Sequence, residues 1–115
     1  MMAIERLKTK IFADGADLAG IEKMAAKPFI RGFTTNPTLM RKAGVTDYTS
    51  FAQQALKLVG DHPISFEVFA DEFDEMEHQA LEISSWAPTV NVKIPITNTR
   101  GASSAELVGR LSKQG

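Results

Sequence analysis

Apolar residues along this chain recur with two spacings that alternate four times. Strand-like alternation or short apolar runs cover residues 10–15, 29–37, 64–70 and 89–96. Helical spacing covers residues 17–26, 48–59, 71–85 and the segment that follows Ser103 or Ser104, with a short helical turn at 38–42. A spacing of two residues is typical of strands, and a spacing of three to four is typical of helices. The repeated β-α order predicts a parallel sheet with right-handed crossovers.

Each predicted strand has one apolar face and one face that carries a polar side chain. The polar residues are Asp14, Thr34 with Asn36, Glu67 and Lys93. Strands of an open sheet with helices on both sides are apolar on both faces, so the pattern disfavours a small doubly wound sheet. A barrel has helices only outside, and barrel enzymes carry catalysis at the carboxyl ends of their strands. We therefore predict an α/β fold made of four βα units of a (β/α)8 TIM barrel.

Lys93 lies in the most regular of these strands, between the apolar residues Val92 and Ile94. Its side chain is expected on the inner face, where an ammonium without a partner is costly to bury. Desolvation lowers the pKa of a lysine and leaves a neutral amine that can attack a carbonyl and form a Schiff base. The alternatives are that Lys93 extends to solvent or pairs with a carboxylate. We interpret Lys93 as a candidate nucleophile.

The other polar residues each have a simpler explanation. Asp14 fits a turn residue or a helix cap, and Asn36 before Pro37 fits turn chemistry. Glu67 fits an ion pair with a lysine, but it could also hold the charge of the Lys93 amine and later transfer a proton. Because these residues share one side of one sheet, we interpret them together as a candidate catalytic site.

Composition and charge exclude several classes of protein. The 115 residues suffice for a single domain, residues 1–115, with no cysteine for disulfides or thiolate metal sites. His62 and His78 have no second ligand at metal spacing, so no metal site is expected. A net charge of −1 without a basic stripe argues against nucleic-acid binding. No apolar run approaches the ~20 residues of a membrane helix, and no signal-like core follows the N-terminus. We expect a cytoplasmic protein.

Three segments resemble the transaldolase family, especially its short subfamily that includes the fructose-6-phosphate aldolases. They are Gly32-Phe33-Thr34-Thr35-Asn36-Pro37-Thr38, Phe66-Glu67-Val68 and Val92-Lys93-Ile94-Pro95. The similarity extends over residues 10–115. It implies a (β/α)8 barrel, a sugar-phosphate substrate and Schiff-base chemistry, and no cofactor is expected.

The resemblance also implies a role for each candidate residue. Lys93 takes the place of the Schiff-base lysine on the fourth strand, and Asp14 that of the proton-transfer aspartate at the end of the first. Asn36 matches an asparagine that binds hydroxyls of the dihydroxyacetone unit, and Thr34 also matches the substrate-binding pattern. Glu67 matches a third-strand Glu or Gln that orients the catalytic water. Glutamate at this position is more typical of transaldolases than of the aldolases.

The chain differs from the family in its length and in one turn. Family members are longer, and this chain ends where a fifth strand is expected, so it corresponds to the N-terminal half of the barrel. The rest of the phosphate site is expected in the other half. The turn 97–101 differs from the Thr-x-Glu-Gly common in the family. A truncated product, one piece of a split enzyme and a natural half-barrel all remain possible origins.

Three functions and two kinds of assembly are consistent with this pattern. The chain is expected to transfer a dihydroxyacetone unit between ketose and aldose phosphates, with fructose-6-phosphate aldolase-type cleavage as the near alternative. A catalytically inactive half-barrel that serves as a binding or assembly module is the third. Four βα units cannot close an eight-stranded barrel, so the first and fourth strands would have open edges and the inner face would meet water. We therefore expect a homo-oligomer or a complementary second half-barrel chain.

Overall fold

The computed structural model describes residue 4 and residues 6–115. The strands are β1 (Ile11–Asp14), β2 (Ile30–Thr34), β3 (Ile64–Glu67) and β4 (Val90–Lys93). The helices are α1 (Leu18–Ala25), α2 (Pro37–Lys42), α3 (Tyr48–Val59), α4 (Phe73–Ser84) and α5 (Ala105–Lys113). This order confirms the four predicted βα units. Residues 1–3 and 5, part of the N-terminus in which the sequence predicts no signal segment, lie outside the described residues.

The four strands form one parallel sheet in the order β1-β2-β3-β4. Neighbours in sequence are therefore neighbours in the sheet, and β1 and β4 lie at its two edges. An open doubly wound sheet reverses its strand order at a switch point, whereas a barrel adds strands in one direction. The sheet thus confirms the expectation of part of a (β/α)8 barrel.

Aspartate side chains cap the first turns of α1 and α3. The carboxylate of Asp17 accepts a hydrogen bond from Gly20 N at 3.2 Å and starts α1, as the sequence predicts. Asp47 accepts from Ser50 N at 3.1 Å and starts α3. Each carboxylate satisfies a backbone N–H that has no partner within its own helix.

The last helix begins differently from the expected serine cap. Ser104 occupies the cap position of α5, but its buried hydroxyl donates to the carbonyl oxygen of Ile96 at 2.9 Å. Ser103 Oγ instead accepts from Ala105 N at 3.1 Å. Ser103 therefore bonds to the first residue of α5, and Ser104 bonds to the loop after β4.

The hydrophobic core lies between the outer face of the sheet and the helices. Phe33, Ile64 and Phe66 project from the strands, and Met76 and Leu107 meet them from the helices; all five side chains are buried. The inner face is open, as expected from the sequence, and Phe12 there is 42% exposed. The fold therefore buries one face of the sheet and presents the other to solvent.

None of the helices in residues 4 and 6–115 combines the length and the apolar character needed to cross a bilayer.

Candidate functional site

The sheet brings four of the five candidate residues together as two neighbouring pairs. Asp14 lies beside Thr34 in the β1–β2 register, and Glu67 lies beside Lys93 in the β3–β4 register. Each of these residues is the last of its strand. Because side chains directly opposite in register point to the same face, the members of each pair share one face at the carboxyl end of the sheet. Asn36 follows β2 at the same end.

Asp14 is held by a hydrogen bond to the neighbouring strand. Thr34 Oγ1 donates to Asp14 Oδ1 at 2.7 Å. This contact differs from the turn or cap role that the sequence left open for Asp14, since the aspartate that caps α1 is Asp17. One carboxylate oxygen of Asp14 is thereby oriented by Thr34, and the other can accept a proton or a hydrogen bond.

Asn36 has a structural role that the sequence also allowed. Its side-chain Oδ1 accepts from Leu39 N at 2.9 Å and caps α2, in which Pro37 is the first residue. Proline suits this position because its missing N–H would have no helical partner there. The cap fixes the orientation of the Asn36 amide, whose NH2 group can donate elsewhere.

The ion pair expected as a simpler explanation of Glu67 is absent from the described residues. The ion pairs found there join Arg100 to Asp71 and Glu72, and Arg110 to Glu77. Glu67 and Lys93 are adjacent in register without such a contact.

The expectation that Lys93 is desolvated is not met within the described chain. Its side chain is exposed, while that of Glu67 is half-buried. The physical reason is geometric: four strands provide one wall of a barrel interior, and a side chain on that wall loses its water only when an opposite wall faces it. This exposure agrees with the expectation of an inner face that meets water.

Tyr48 is a residue of this site that the sequence analysis missed. Its hydroxyl donates to the backbone carbonyl oxygen of Glu67 at 2.7 Å. Burial, and secondarily the negative charge of Glu67, raise the pKa of Tyr48 above its ordinary value, so the phenol stays protonated and can donate at neutral pH. The ring packs against Phe66 and Trp86 with centroid distances of 6.1 and 5.6 Å.

A second missed feature ties together the loops that follow β3 and β4. The Asp71 carboxylate accepts from Thr99 N at 2.8 Å and from Thr99 Oγ1 at 2.7 Å. These two bonds lower the pKa of Asp71, with a smaller contribution from the nearby charge of Arg100. Arg100 donates to Glu72 Oε1 at 2.8 Å. The guanidinium of Arg100 is a group suited to phosphate binding, and here its charge is shared with two carboxylates.

Arg31 and Arg41 lie apart from the paired residues. Arg31 is the second residue of β2, at the amino end of that strand, and Arg41 lies near the end of α2. Both side chains are exposed. A cleft of about 500 Å³ lies on the opposite, outer side of β4, and its lining includes Val92, Val108 and Leu111. This cleft is also lined by polar residues such as Ser84 and Ser112, and it is separate from the candidate site, whose inner face is open.

Within residues 4 and 6–115, no three His, Asp or Glu side chains are grouped as a metal ion would require. His62 Nδ1 lies 2.9 Å from Val59 O, and His78 is exposed on α4. The side chains that the sheet does assemble are a lysine, two carboxylates and hydroxyl donors. Together they can form and hydrolyse an imine and transfer protons, which is the chemistry of a lysine nucleophile with acid–base partners.

Comparison with known proteins agrees with this geometry. A model of the family described as Transaldolase/Fructose-6-phosphate aldolase matches residues 11–115. The chain is 42% identical over 106 residues to a probable transaldolase of Dehalococcoides mccartyi, a match that covers 92% of this chain and 47% of that protein. It is 38% identical over 106 residues to probable transaldolases of Streptococcus agalactiae and of a Roseiflexus species, with coverage of 92% of this chain and 46% of each relative. The chain spans somewhat less than half the length of these relatives. It belongs to the transaldolase/fructose-6-phosphate aldolase family.

Proposed function

We propose that the chain carries the nucleophile and acid–base groups of a transaldolase-type enzyme of sugar-phosphate metabolism. In this proposal it transfers a dihydroxyacetone unit from a ketose phosphate to an aldose phosphate. The proposal rests on which residues lie side by side at the carboxyl ends of neighbouring strands. Glu67 lies beside Lys93 in the β3–β4 register, and Asp14 lies beside Thr34 and accepts its hydrogen bond. Membership of the family supports the same chemistry.

The first step joins the substrate to Lys93. The neutral amine attacks the ketose carbonyl carbon, one N–H proton moves to the carbonyl oxygen to give the carbinolamine, and this oxygen then leaves as water to give a protonated imine. Glu67, adjacent in register, takes the proton that Lys93 gives up to become the neutral amine, passes it to the departing oxygen, and orients the water that later hydrolyses the imine. Because the Lys93 side chain is exposed in the described chain, binding of the substrate or of further protein must supply the desolvation that favours its neutral form.

The second step breaks a carbon–carbon bond. The free carboxylate oxygen of Asp14 takes the proton of the hydroxyl on C4 of the ketose, the C3–C4 bond breaks so that an aldehyde leaves, and the bonding electron pair moves into the protonated imine to give an enamine. The enamine then attacks the acceptor aldehyde, and Asp14 returns the proton to the new hydroxyl. Thr34 holds Asp14 in position, and the Asn36 amide donates to hydroxyls of the bound three-carbon unit.

Aldolase-type cleavage is the near alternative within this chemistry. In that reaction the enamine is protonated by solvent, and hydrolysis releases dihydroxyacetone instead of transferring it. Addition of an acceptor aldose phosphate distinguishes the two, because a transferase forms a new ketose phosphate and a simple aldolase accumulates free dihydroxyacetone.

The exposure of Lys93 favours a second candidate function, a catalytically inactive half-barrel that acts as a binding or assembly module. An exposed lysine lacks the dry, enclosed surroundings that activate a Schiff-base lysine as a nucleophile. The partner in that case is a second copy of this chain or a complementary half-barrel that covers the inner face.

Borohydride trapping tests the proposal and separates it from the inactive module. Reduction in the presence of fructose 6-phosphate or dihydroxyacetone is expected to add mass at Lys93 and to leave the other lysines unmodified. Lys93→Arg should abolish the added mass, whereas Lys57→Arg, an exposed change on α3, should leave it intact. Modification spread over several lysines, or its absence from Lys93 in folded protein, would overturn the catalytic assignment.

A further inference from the structure

The hydrogen-bond ladder between β2 and β3 has a gap at its carboxyl end. Phe33 N donates to Pro63 O at 2.9 Å, and Thr35 N donates to Ser65 O at 3.1 Å. Parallel ladders advance by two residues on each strand, so the next bond would join the N–H of residue 37 to the carbonyl oxygen of Glu67. Residue 37 is proline and has no N–H to donate.

The Tyr48 hydroxyl takes the place of that missing donor. It reaches the Glu67 carbonyl oxygen at 2.7 Å from the first residue of α3. The ring has little freedom, because Phe66 and Trp86 pack against it and Asp47 caps the helix directly before it. Without this bond, a half-buried carbonyl group at the end of β3 would lose its protein partner.

The Glu67–Val68 peptide group, whose carbonyl oxygen binds Tyr48, also donates a hydrogen bond to the backbone of Lys93, the candidate nucleophile. The carbonyl of Glu67 and the N–H of Val68 belong to one planar unit, and Val68 N donates to Lys93 O at 3.2 Å. One rigid plane therefore connects Tyr48 on α3 to the backbone of Lys93 on β4. The Glu67 side chain leaves the backbone directly beside this plane.

We propose that Tyr48 is a positioning residue for the imine chemistry: its hydroxyl replaces the N–H that Pro37 lacks and fixes the Glu67–Val68 peptide plane. Glu67 and Lys93 thereby keep one relative orientation. This inference deepens the proposed function and rests on it for its catalytic part. α2 begins at Pro37, soon after the end of β2, and this helix start interrupts the β2–β3 hydrogen-bond ladder. The Tyr48 hydroxyl supplies the hydrogen bond that is missing there.

Amide hydrogen exchange tests the structural part without any reaction. In Tyr48→Phe, exchange of the Val68 amide should rise about tenfold, because a partly buried hydrogen bond is lost at one end of its peptide plane. The amide of Ile64, which donates to Thr89 O in the same β3–β4 ladder, serves as internal reference and should change less than about twofold. Trp86→Phe is the matched control, because it alters the same aromatic cluster and keeps the Tyr48 hydroxyl.

Restoring the missing N–H gives a test that does not depend on the stability of one variant. Pro37→Ala in the Tyr48→Phe background supplies a backbone donor at the ladder position and should return Val68 exchange toward the wild-type rate. An unchanged Val68 rate in Tyr48→Phe, or an equal rise at Val68 and Ile64, would overturn the positioning role.

The catalytic part is tested by the rate of reductive trapping with dihydroxyacetone. Tyr48→Phe should slow trapping at Lys93 about tenfold when Glu67 is present, and by less than about twofold in the Glu67→Gln background. Equal losses in both backgrounds would show that Tyr48 does not act through Glu67 and would overturn this part. If the wild type forms no imine at all, the proposed function fails, while the exchange experiment still decides whether Tyr48 fixes the peptide plane.

Discussion

Gly32 leaves room for the Phe12 ring on the inner face of the sheet. The β1–β2 register shifts between Ile11 and Phe12, and this irregularity sets Phe12 opposite Gly32. A Cβ atom on Gly32 would overlap Cε2 of the Phe12 ring. Gly32 is part of the segment that resembles the family, and its steric role explains why a side chain is not accommodated there.

Gly32→Ala is expected to destabilise the fold by about 1 kcal/mol, the low end of the cost of overpacking, because the Phe12 ring that must move is 42% exposed. Urea unfolding measures the change. Gly109→Ala on α5 is the control, because its added Cβ meets nothing within 4 Å apart from its chain neighbours and the backbone of its own helix. In a helix interior that change should stabilise by about 0.5–1 kcal/mol. Equal effects at the two glycines would contradict the steric explanation.

Substitution of Asp14 should slow one step of the proposed reaction, whereas substitution of the nearby Asp17 should slow none. If Lys93 forms the imine, Asp14→Asn should slow carbon–carbon bond cleavage by about 10²–10⁴-fold, the range for loss of an acid–base group, and slow imine formation far less. Asp17→Asn retains a good helix cap and should change neither step appreciably. Single-turnover measurement of aldehyde release against borohydride trapping separates the steps. Equal loss of both would assign Asp14 a purely structural role.

At the scale of elements, hydrogen bonds join the loop after β3 to the loop after β4. Asp71 binds both the backbone N–H and the hydroxyl of Thr99, and Glu72 binds Arg100. These contacts join segments 28 residues apart in sequence at the carboxyl end of the sheet, next to Glu67 and Lys93. We infer that they hold the β4–α5 loop in place beside the candidate site.

This loop contact predicts a pH dependence of stability. The hydrogen bonds from Thr99 lower the pKa of Asp71 below its ordinary value of 3.8. A carboxyl group whose pKa is lower in the folded state stabilises the fold above its unfolded pKa, and this contribution disappears as pH falls through the folded pKa. Urea unfolding of wild type and Asp71→Asn should therefore differ at neutral pH and converge in acid. A constant difference across that range would contradict the assignment.

At the scale of the whole molecule, the described chain is more extended than a closed domain of its size. Its radius of gyration is 15.0 Å, whereas a compact domain of this length has about 13 Å. The edges of β1 and β4 and the inner face are open, and Phe69, beyond the end of β3, is 58% exposed. Open sheet edges and exposed apolar side chains promote association.

Light scattering of the purified chain should accordingly give a mass above that of the 12.6 kDa monomer at micromolar concentration. Association is expected because it covers the inner face and pairs strand edges. A monomer that unfolds cooperatively at this concentration would contradict the prediction. It would show that four βα units are stable with an open inner face.

The element order followed from local signals in the sequence. The apolar spacing at 48–59 predicted α3 with the bounds that the structure has, and Asp17 was recognised as the cap of α1. Alternation also assigned Lys93 and Glu67 to one side of the sheet, because the side-chain direction along a strand depends only on the parity of the residue number. These features involve residues close together in the chain, so periodicity and capping suffice to predict them.

The ends of the strands and the contacts of the site depended on residues far apart in the chain. Alternation continues to residue 70 and to residue 96, but β3 ends at Glu67 and β4 at Lys93, because a strand ends where its partner stops offering hydrogen bonds. The bond from Tyr48 to Glu67 spans 19 residues and arises only when α3 packs on the sheet. The exposure of Lys93 likewise reflects how many strands surround it. Periodicity specifies which face a side chain occupies, while packing of distant segments sets its partners and its contact with water.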